Sequence, residues 1–188
     1  MHTTESHAGA FLKLPYRGAK IVLVPRDEPA NPITTDVQAF LERGVSVMVG
    51  TRDSELVPEL VRAWGPRVSR DRRSVSVCVA RAVSGRTLAN VRNNGRLAVT
   101  CALPANSNAI QMWGRCIATA QARRQDLAAV EAHRDAFARV NEGLGVPRPF
   151  IDALWQRELA GCADMIKIQF VVEQVFNQTP GPDAGSRL

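Results

Sequence analysis

The residues Arg81-Ala82-Val83-Ser84-Gly85-Arg86-Thr87-Leu88-Ala89-Asn90 leave an alternating apolar run, pass a glycine and enter a helix-forming stretch. At a strand-to-helix junction of this kind, free backbone N–H groups point outward and the helix dipole favours an anion. Ser84 and Thr87 add hydroxyl donors. Arg86 adds a guanidinium fork that matches phosphate oxygens, and Arg81 adds a second positive charge. Together with the turn at Gly85, this is a phosphate-holding chemistry. The same residues also read as a plain helix cap beside a solvated Arg86. Local physics weighs the two readings about equally.

Two residue pairs could serve a planar ligand. Arg62 and Trp64 stand two apart on a strand-like run, as do Gln111 and Trp113, so each pair shares a face. Tryptophan covers an aromatic ring and glutamine hydrogen-bonds its edge; each tryptophan taken alone reads more simply as a core or interface residue. Other chemistry is poorly supplied. Two of the three histidines, His2 and His7, lie near the N-terminus, and His133 falls in a helical pattern. Histidine-based triads and metal sites therefore have little to draw on. Cys78, Cys101, Cys116 and Cys162 have no metal-ligand spacing. The first three sit in strand-like runs as small hydrophobes. Glycine patterns of the P-loop or dinucleotide-binding type are missing. No catalytic side chain is assigned from the sequence.

The formal charge is +6 and the pI about 9.8. Such a balance suits an anionic partner. The positive charge is scattered, however, and the 5% of aromatic residues do not interleave with arginine as in a stacking platform. A phosphate-bearing small molecule is thus preferred to nucleic acid. No apolar run is long enough to span a bilayer, and the N-terminus lacks a secretory pattern. The expectation is a cytoplasmic protein with neither a membrane nor a nucleic-acid partner.

The elements that must position these residues follow from periodicity. Residues 1–33 read as an arm and loop, with a strand-like run at Lys20–Val24. Thr35 and Gln38 have capping-box spacing for a helix ended by Gly44. Strands are expected at Val45–Thr51, Pro58–Trp64 and Ser74–Arg81, the last with Val75, Val77 and Val79 on one face. A short helix over Thr87–Asn94 is stopped by Gly95. Further strands cover Leu97–Leu103, Ile110–Ala120 and Met165–Phe176. A helical insert at 122–161 carries Leu127, Val130, Phe137 and Val140 on one stripe. Residues 177–188, rich in Gly and Pro, read as an irregular tail. Consecutive strands with short links argue for antiparallel pairing, and about six strands close best into a small barrel. The fold class is mainly β with α insertions, and the barrel domain spans 34–176.

This pattern, from about Thr35 to Glu173, resembles the pyridoxamine 5′-phosphate oxidase-like family of flavin mononucleotide (FMN)-binding split barrels. The resemblance is carried by Ser84-Gly85-Arg86-Thr87-Leu88-Ala89-Asn90-Val91-Arg92-Asn93-Asn94 before the strand Arg96-Leu97-Ala98-Val99. Thr51-Arg52-Asp53 leading to Pro58, Gln111-Met112-Trp113-Gly114, and the tail from Gln178 to Gly185 support it. It implies a six-stranded antiparallel split barrel and an FMN phosphate held by Ser84, Arg86 and Thr87. Arg62 and Gln111 would lie near the flavin ring. It implies a homodimer with cofactor at the interface, which would place Trp64 and Trp113 there, and an oxidoreductase acting on a small organic substrate. Non-catalytic flavin or haem binding, and a deazaflavin cofactor, are the alternatives within the same fold. The oxidase proper carries two adjacent basic residues after its Ser, and Gly85 stands in the first of those places. It ends in Arg-Leu-x-Pro, and this chain ends Gly-Ser-Arg-Leu. The resemblance therefore does not extend to pyridoxal-phosphate production.

Overall fold

The structure is a computed structural model that describes residues 33–158 and 164–188. The arm, its run at Lys20–Val24, Cys162 and residues 159–161 of the helical insert lie outside the described residues. In chain order the elements are α1 (Thr35–Leu41), β1 (Ser46–Arg52), β2 (Pro58–Val68) and β3 (Ser74–Ala80). A 3-10 turn at Arg81–Val83 leads to α2 (Gly85–Asn94), β4 (Arg96–Ala102) and β5 (Ala109–Gln121). Then come α3 (Arg124–Glu142), α4 (Arg148–Glu158) and β6 (Met165–Asn177).

The six strands close into an antiparallel barrel in the order β1-β2-β3-β6-β5-β4. This is the barrel expected from the strand count and the short links. Valines dominate its interior because β-branched side chains fit a pleated, half-buried surface. Val47, Val49, Val75, Val77, Val79 and Val99 are all buried in one core with Met112, Ile168 and Phe170. Ile33, Val37 and Leu41 of the α1 region join the same core.

Several boundaries differ from expectation, each for a local reason. The cap of α1 is Thr34, whose Oγ1 accepts the Val37 N–H at 3.2 Å. Gln38 bonds Glu42 instead of reaching back, so the capping box expected at Thr35 and Gln38 does not form. Strand β2 runs past Trp64 to Val68. A bulge between Trp64 and Arg67, with Gly65 at φ +59°, lets the strand continue past its expected end. Helix α2 starts at Gly85, two residues earlier than the side-chain pattern suggests. The tail is not wholly irregular: Phe176 bridges Arg187, and Leu188 N–H donates to Val175 C=O at 2.9 Å. These closing residues extend the sheet beside the last residues of β6.

The helical insert is a pair of helices. Arg148 ties them, with Nη2 donating to Asp135 of α3 at 2.7 Å and Nε at 3.3 Å from Asp152 of α4. Helix α3 lies against β2 and covers Trp64, Cys78, Ala80 and Met165 on the outside of the barrel.

Candidate functional site: the turn before α2 and the outer row of the barrel

The N-terminus of α2 is built from the end of β3. Ala80 closes the strand, the 3-10 turn follows, and Ser84 adopts φ −111°, ψ 13° before the helix begins. The Ser84 carbonyl accepts the Leu88 N–H at 2.8 Å, as a helix-capping carbonyl should. Its side chain makes no capping bond. The first-turn N–H groups of any helix lack an intrahelical acceptor, and here the residue type best suited to satisfy one does not do so.

Ser84 and Thr87 are both 0% exposed, and neither Ser84 Oγ nor Thr87 Oγ1 has a hydrogen-bond partner. Each unsatisfied buried hydroxyl costs about 1–3 kcal/mol. Two such groups stand three residues apart at the N-terminus of α2, both enclosed and both unpartnered. The plain-cap reading required one of these hydroxyls to bond a first-turn N–H, and neither does.

The rest of α2 is held firmly. Leu88 and Val91 enter the core. Asn90 Nδ2 donates to Thr51 Oγ1 at 3.1 Å in a buried contact, and Asn94 Nδ2 donates to Arg52 C=O at 2.8 Å. Gly95 caps the end at φ 68°. The helix is thereby fixed to the β1–β2 end of the barrel.

Arg86 is 70% exposed and its Nε lies 3.3 Å from Glu59 Oε2. Gly85 faces open space: a Cβ there would meet no atom within 4 Å. Arg81 points elsewhere. Its Nε donates to Asp164 Oδ1 and its Nη2 to Gln121 Oε1, both at 2.7 Å. Asp164 thus balances the charge of Arg81, and Arg86 is the arginine of the turn itself.

The sheet register assembles a second group of residues. Arg62 pairs with Met48, Met48 with Thr100, Thr100 with Gln111, and Gln111 with Phe176. Paired residues share a face, so Arg62 and Gln111 stand in one row on the outside of the barrel. Gln111 is locked: Nε2 donates to Thr100 Oγ1 at 2.9 Å, and Oε1 accepts the Trp113 Nε1–H at 2.6 Å. Trp113 packs against Phe176 with ring centroids 4.9 Å apart and the rings tilted by 55°, and remains 49% exposed. Arg62 Nη1 lies 3.3 Å from Ser46 Oγ. Met48 and Thr100 complete the row and were not singled out from the sequence. The signal was available, since both alternate with interior valines on their strands.

Trp64 does not join this group. It is buried beneath α3, edge-on to His133 and Phe137 at 5.8 Å each, with the Arg62 guanidinium 5.8 Å from its ring centroid. His133 has both ring nitrogens engaged, by the Gly65 N–H and the Val45 carbonyl. Burial pushes the Cys78 and Cys101 thiols up to about 12, so neither offers a thiolate nucleophile near neutrality. Among the described residues no group of three His, Cys, Asp or Glu side chains could hold a metal ion, and no helix is long and apolar enough to cross a membrane.

No family model and no curated protein matches the sequence. Solved structures are similar in backbone at low identity. HupZ of Group A Streptococcus is 16% identical, with 81% of this chain and 99% of that one covered and a TM-score of 0.48. An FMN-binding protein of Syntrophomonas wolfei is 14% identical, with coverage of 74% and 86% and a TM-score of 0.41. A pyridoxine-phosphate oxidase family protein of Clostridium acetobutylicum, related to general stress protein 26, is 11% identical, with coverage of 81% and 92% and a TM-score of 0.45. The functional reading that follows is carried by this chain's own residues.

Proposed function

We propose that this protein binds FMN, with the cofactor phosphate held at the N-terminus of α2, and acts as an oxidoreductase on a small organic substrate. The observation that supports it is the pair of buried, unpartnered hydroxyls of Ser84 and Thr87 at a helix end whose N–H groups need acceptors. A phosphate supplies several acceptor oxygens to two hydroxyls, to the first-turn amides and to the Arg86 guanidinium. Gly85 faces open space while the Ser84 and Thr87 hydroxyls are enclosed, so a phosphate entering beside Gly85 reaches them only once the turn opens. Glu59 pairs with Arg86 in the structure as described. A bound phosphate would compete for that guanidinium, so the grip is weaker than that of an unpaired arginine.

Arg62 and Gln111, with Trp113 beside them, are the residues that would meet the ring. Gln111 arrives with a fixed amide orientation, since both ends of its amide are hydrogen-bonded. The flavin, when bound, supplies the hydride and electron chemistry, while the protein binds and orients it and tunes its surroundings. This division fits a site in which no activated cysteine or histidine is found among the described residues. The exposed Leu60 and Trp113 share the outer face of the row with Met48 and Thr100. That apolar content suits the homodimer interface this reading places there. The haem alternative loses support at His133, the only histidine among the described residues, because both its ring nitrogens are taken. A phosphate-bearing deazaflavin would use the same turn. The cytoplasm remains the compartment this reading assigns.

An absorbance spectrum of the purified protein, alone and after addition of FMN, tests the proposal. Flavin bands that stay with the protein through gel filtration are the expected result. A colourless protein that leaves added FMN in the small-molecule fraction would sink it.

A further inference from the structure

The β1–β2 ladder ends at Val47 and Ala63, and Val45 and Gly65 lie two residues beyond that pair. Pairing runs Val49 with Val61 and Val47 with Ala63, and the same register sets Val45 opposite Gly65. At that step the imidazole of His133 stands between them. The Gly65 N–H donates to His133 Nδ1 at 3.2 Å, and His133 Nε2 lies 2.9 Å from the Val45 carbonyl. A carbonyl only accepts, so Nε2 carries the proton and Nδ1 is the acceptor. The side chain of α3 thus relays a hydrogen bond that the two strands would otherwise make directly.

Helix α3 comes close enough for this because two glycines make way. Gly65 has φ +59°, and a Cβ there would lie 2.9 Å from Val130 N. Gly44, at φ +74°, faces the backbone of Ala136 and Phe137 with still less room. His133 also borders a cleft of about 380 Å³ between α1, β2 and α3.

We propose that His133 is a proton-sensitive wedge: the neutral imidazole docks α3 onto the β1–β2 corner, and its protonation undocks the helix from the barrel. The doubly protonated ring has no acceptor, so the Gly65 N–H would face an N–H. Burial pulls the ring's pKa down to about 4 from the ordinary 6.5, and the bond to Val45 offsets this only in part. The sign follows. The docked state prefers the neutral ring, and its advantage is complete above pH 6.5. It falls as the pH drops below that value and levels off near pH 4.

The neighbouring charges do not replace this switch. Glu42, at the C-terminal cap of α1, and Arg67 of β2 line the same cleft with opposite signs. On α3 itself, the buried Asp126 faces Arg67 and Lys167 at 3.6 and 3.5 Å. Arg62 lies over Trp64, and Cys78, below Trp64 on β3, stays protonated across this range.

The test is histidine-ring nitrogen NMR on the full chain from pH 7.5 to 3.5, with amide hydrogen exchange at each end. The expected His133 signals show the Nε2–H form at neutral pH and a midpoint at least one unit below 6.5. The Gly65 amide and Trp64 indole shift at that midpoint, and α3 amides lose protection while those of Val49 and Val99 keep it. His133→Gln supplies one acceptor and one donor that do not titrate, so it should dock α3 at pH 7 and abolish the acid step. Glu42→Gln should leave the midpoint in place. Titration near 6.5, an Nδ1–H form, an unchanged acid step in His133→Gln, or loss of α3 and barrel protection together would overturn the proposal.

Discussion

At the scale of single residues, Ser84, Thr87 and Arg86 form the turn that would hold a phosphate. Ser84→Ala has two effects of opposite sign. Without ligand it removes an unsatisfied buried hydroxyl, so stability should hold or rise by up to about 1 kcal/mol. With FMN it removes a phosphate donor, so affinity should fall. Thermal melts with and without FMN check both signs at once; a destabilised apo protein would show that the hydroxyl already has a partner. Arg86→Ala should weaken FMN binding by roughly 1.5–3 kcal/mol if it makes a charge-assisted bond to phosphate. An unchanged dissociation constant in isothermal titration would leave Arg86 as a partner of Glu59 alone. The residue types of this turn were legible in the sequence, but the state of the hydroxyls was not. Whether Ser84 caps or stands unpaired depends on a backbone angle that no residue pattern reveals. Arg81 shows the same limit, since Asp164 and Gln121 are 83 and 40 residues away in sequence.

At the scale of elements, alternation carried the strands well. Val75, Val77 and Val79 fall inside the barrel as their period demands, and Gly95 stops α2 where a left-handed residue is needed. The misses come from tertiary overrides. The strand expected to end at Trp64 is carried onward to Val68 by a bulge. Asp126 and His133 are polar residues on a helix whose side-chain pattern does not place them, and both are buried. Lys167, Arg67 and the two backbone groups of the β1–β2 corner satisfy them from elements far apart in sequence. Close packing also makes a prediction for β5. A Cβ on Gly114 would run into the Val171 carbonyl oxygen and crowd the Phe170 ring at 2.9 Å, beside a register shift between β5 and β6. Gly114→Ala should therefore cost about 1–3 kcal/mol through overpacking, read as a lower urea midpoint with an unchanged slope. A midpoint equal to the parent's would mean that the two strands yield at this point.

At the scale of the whole molecule, the barrel's register does what no local motif could. It sets Arg62, Met48, Thr100 and Gln111 in one row from four strands, and it fixes α2 at the β1–β2 end of the same barrel. Sequence pairs two residues apart identified Arg62 and Gln111. Their common row needed the topology. The exposed Leu60 and Trp113 on this face lead to an expected dimer, checked by sedimentation velocity at micromolar concentration. A monomer across that range would remove the interface from the account. Binding should also weaken as salt rises, because the Arg86 contact is largely exposed.

A phosphate grip at the Ser84–Thr87 turn would separate FMN from riboflavin. The most direct measurement is a paired fluorescence titration with FMN and with riboflavin, which share a ring and differ in the phosphate. The account predicts FMN binding tighter by 10-fold or more, on the order of one charge-assisted hydrogen bond, with the preference reduced in Arg86→Ala. Equal affinities for the two flavins, or no binding of either, would contradict it.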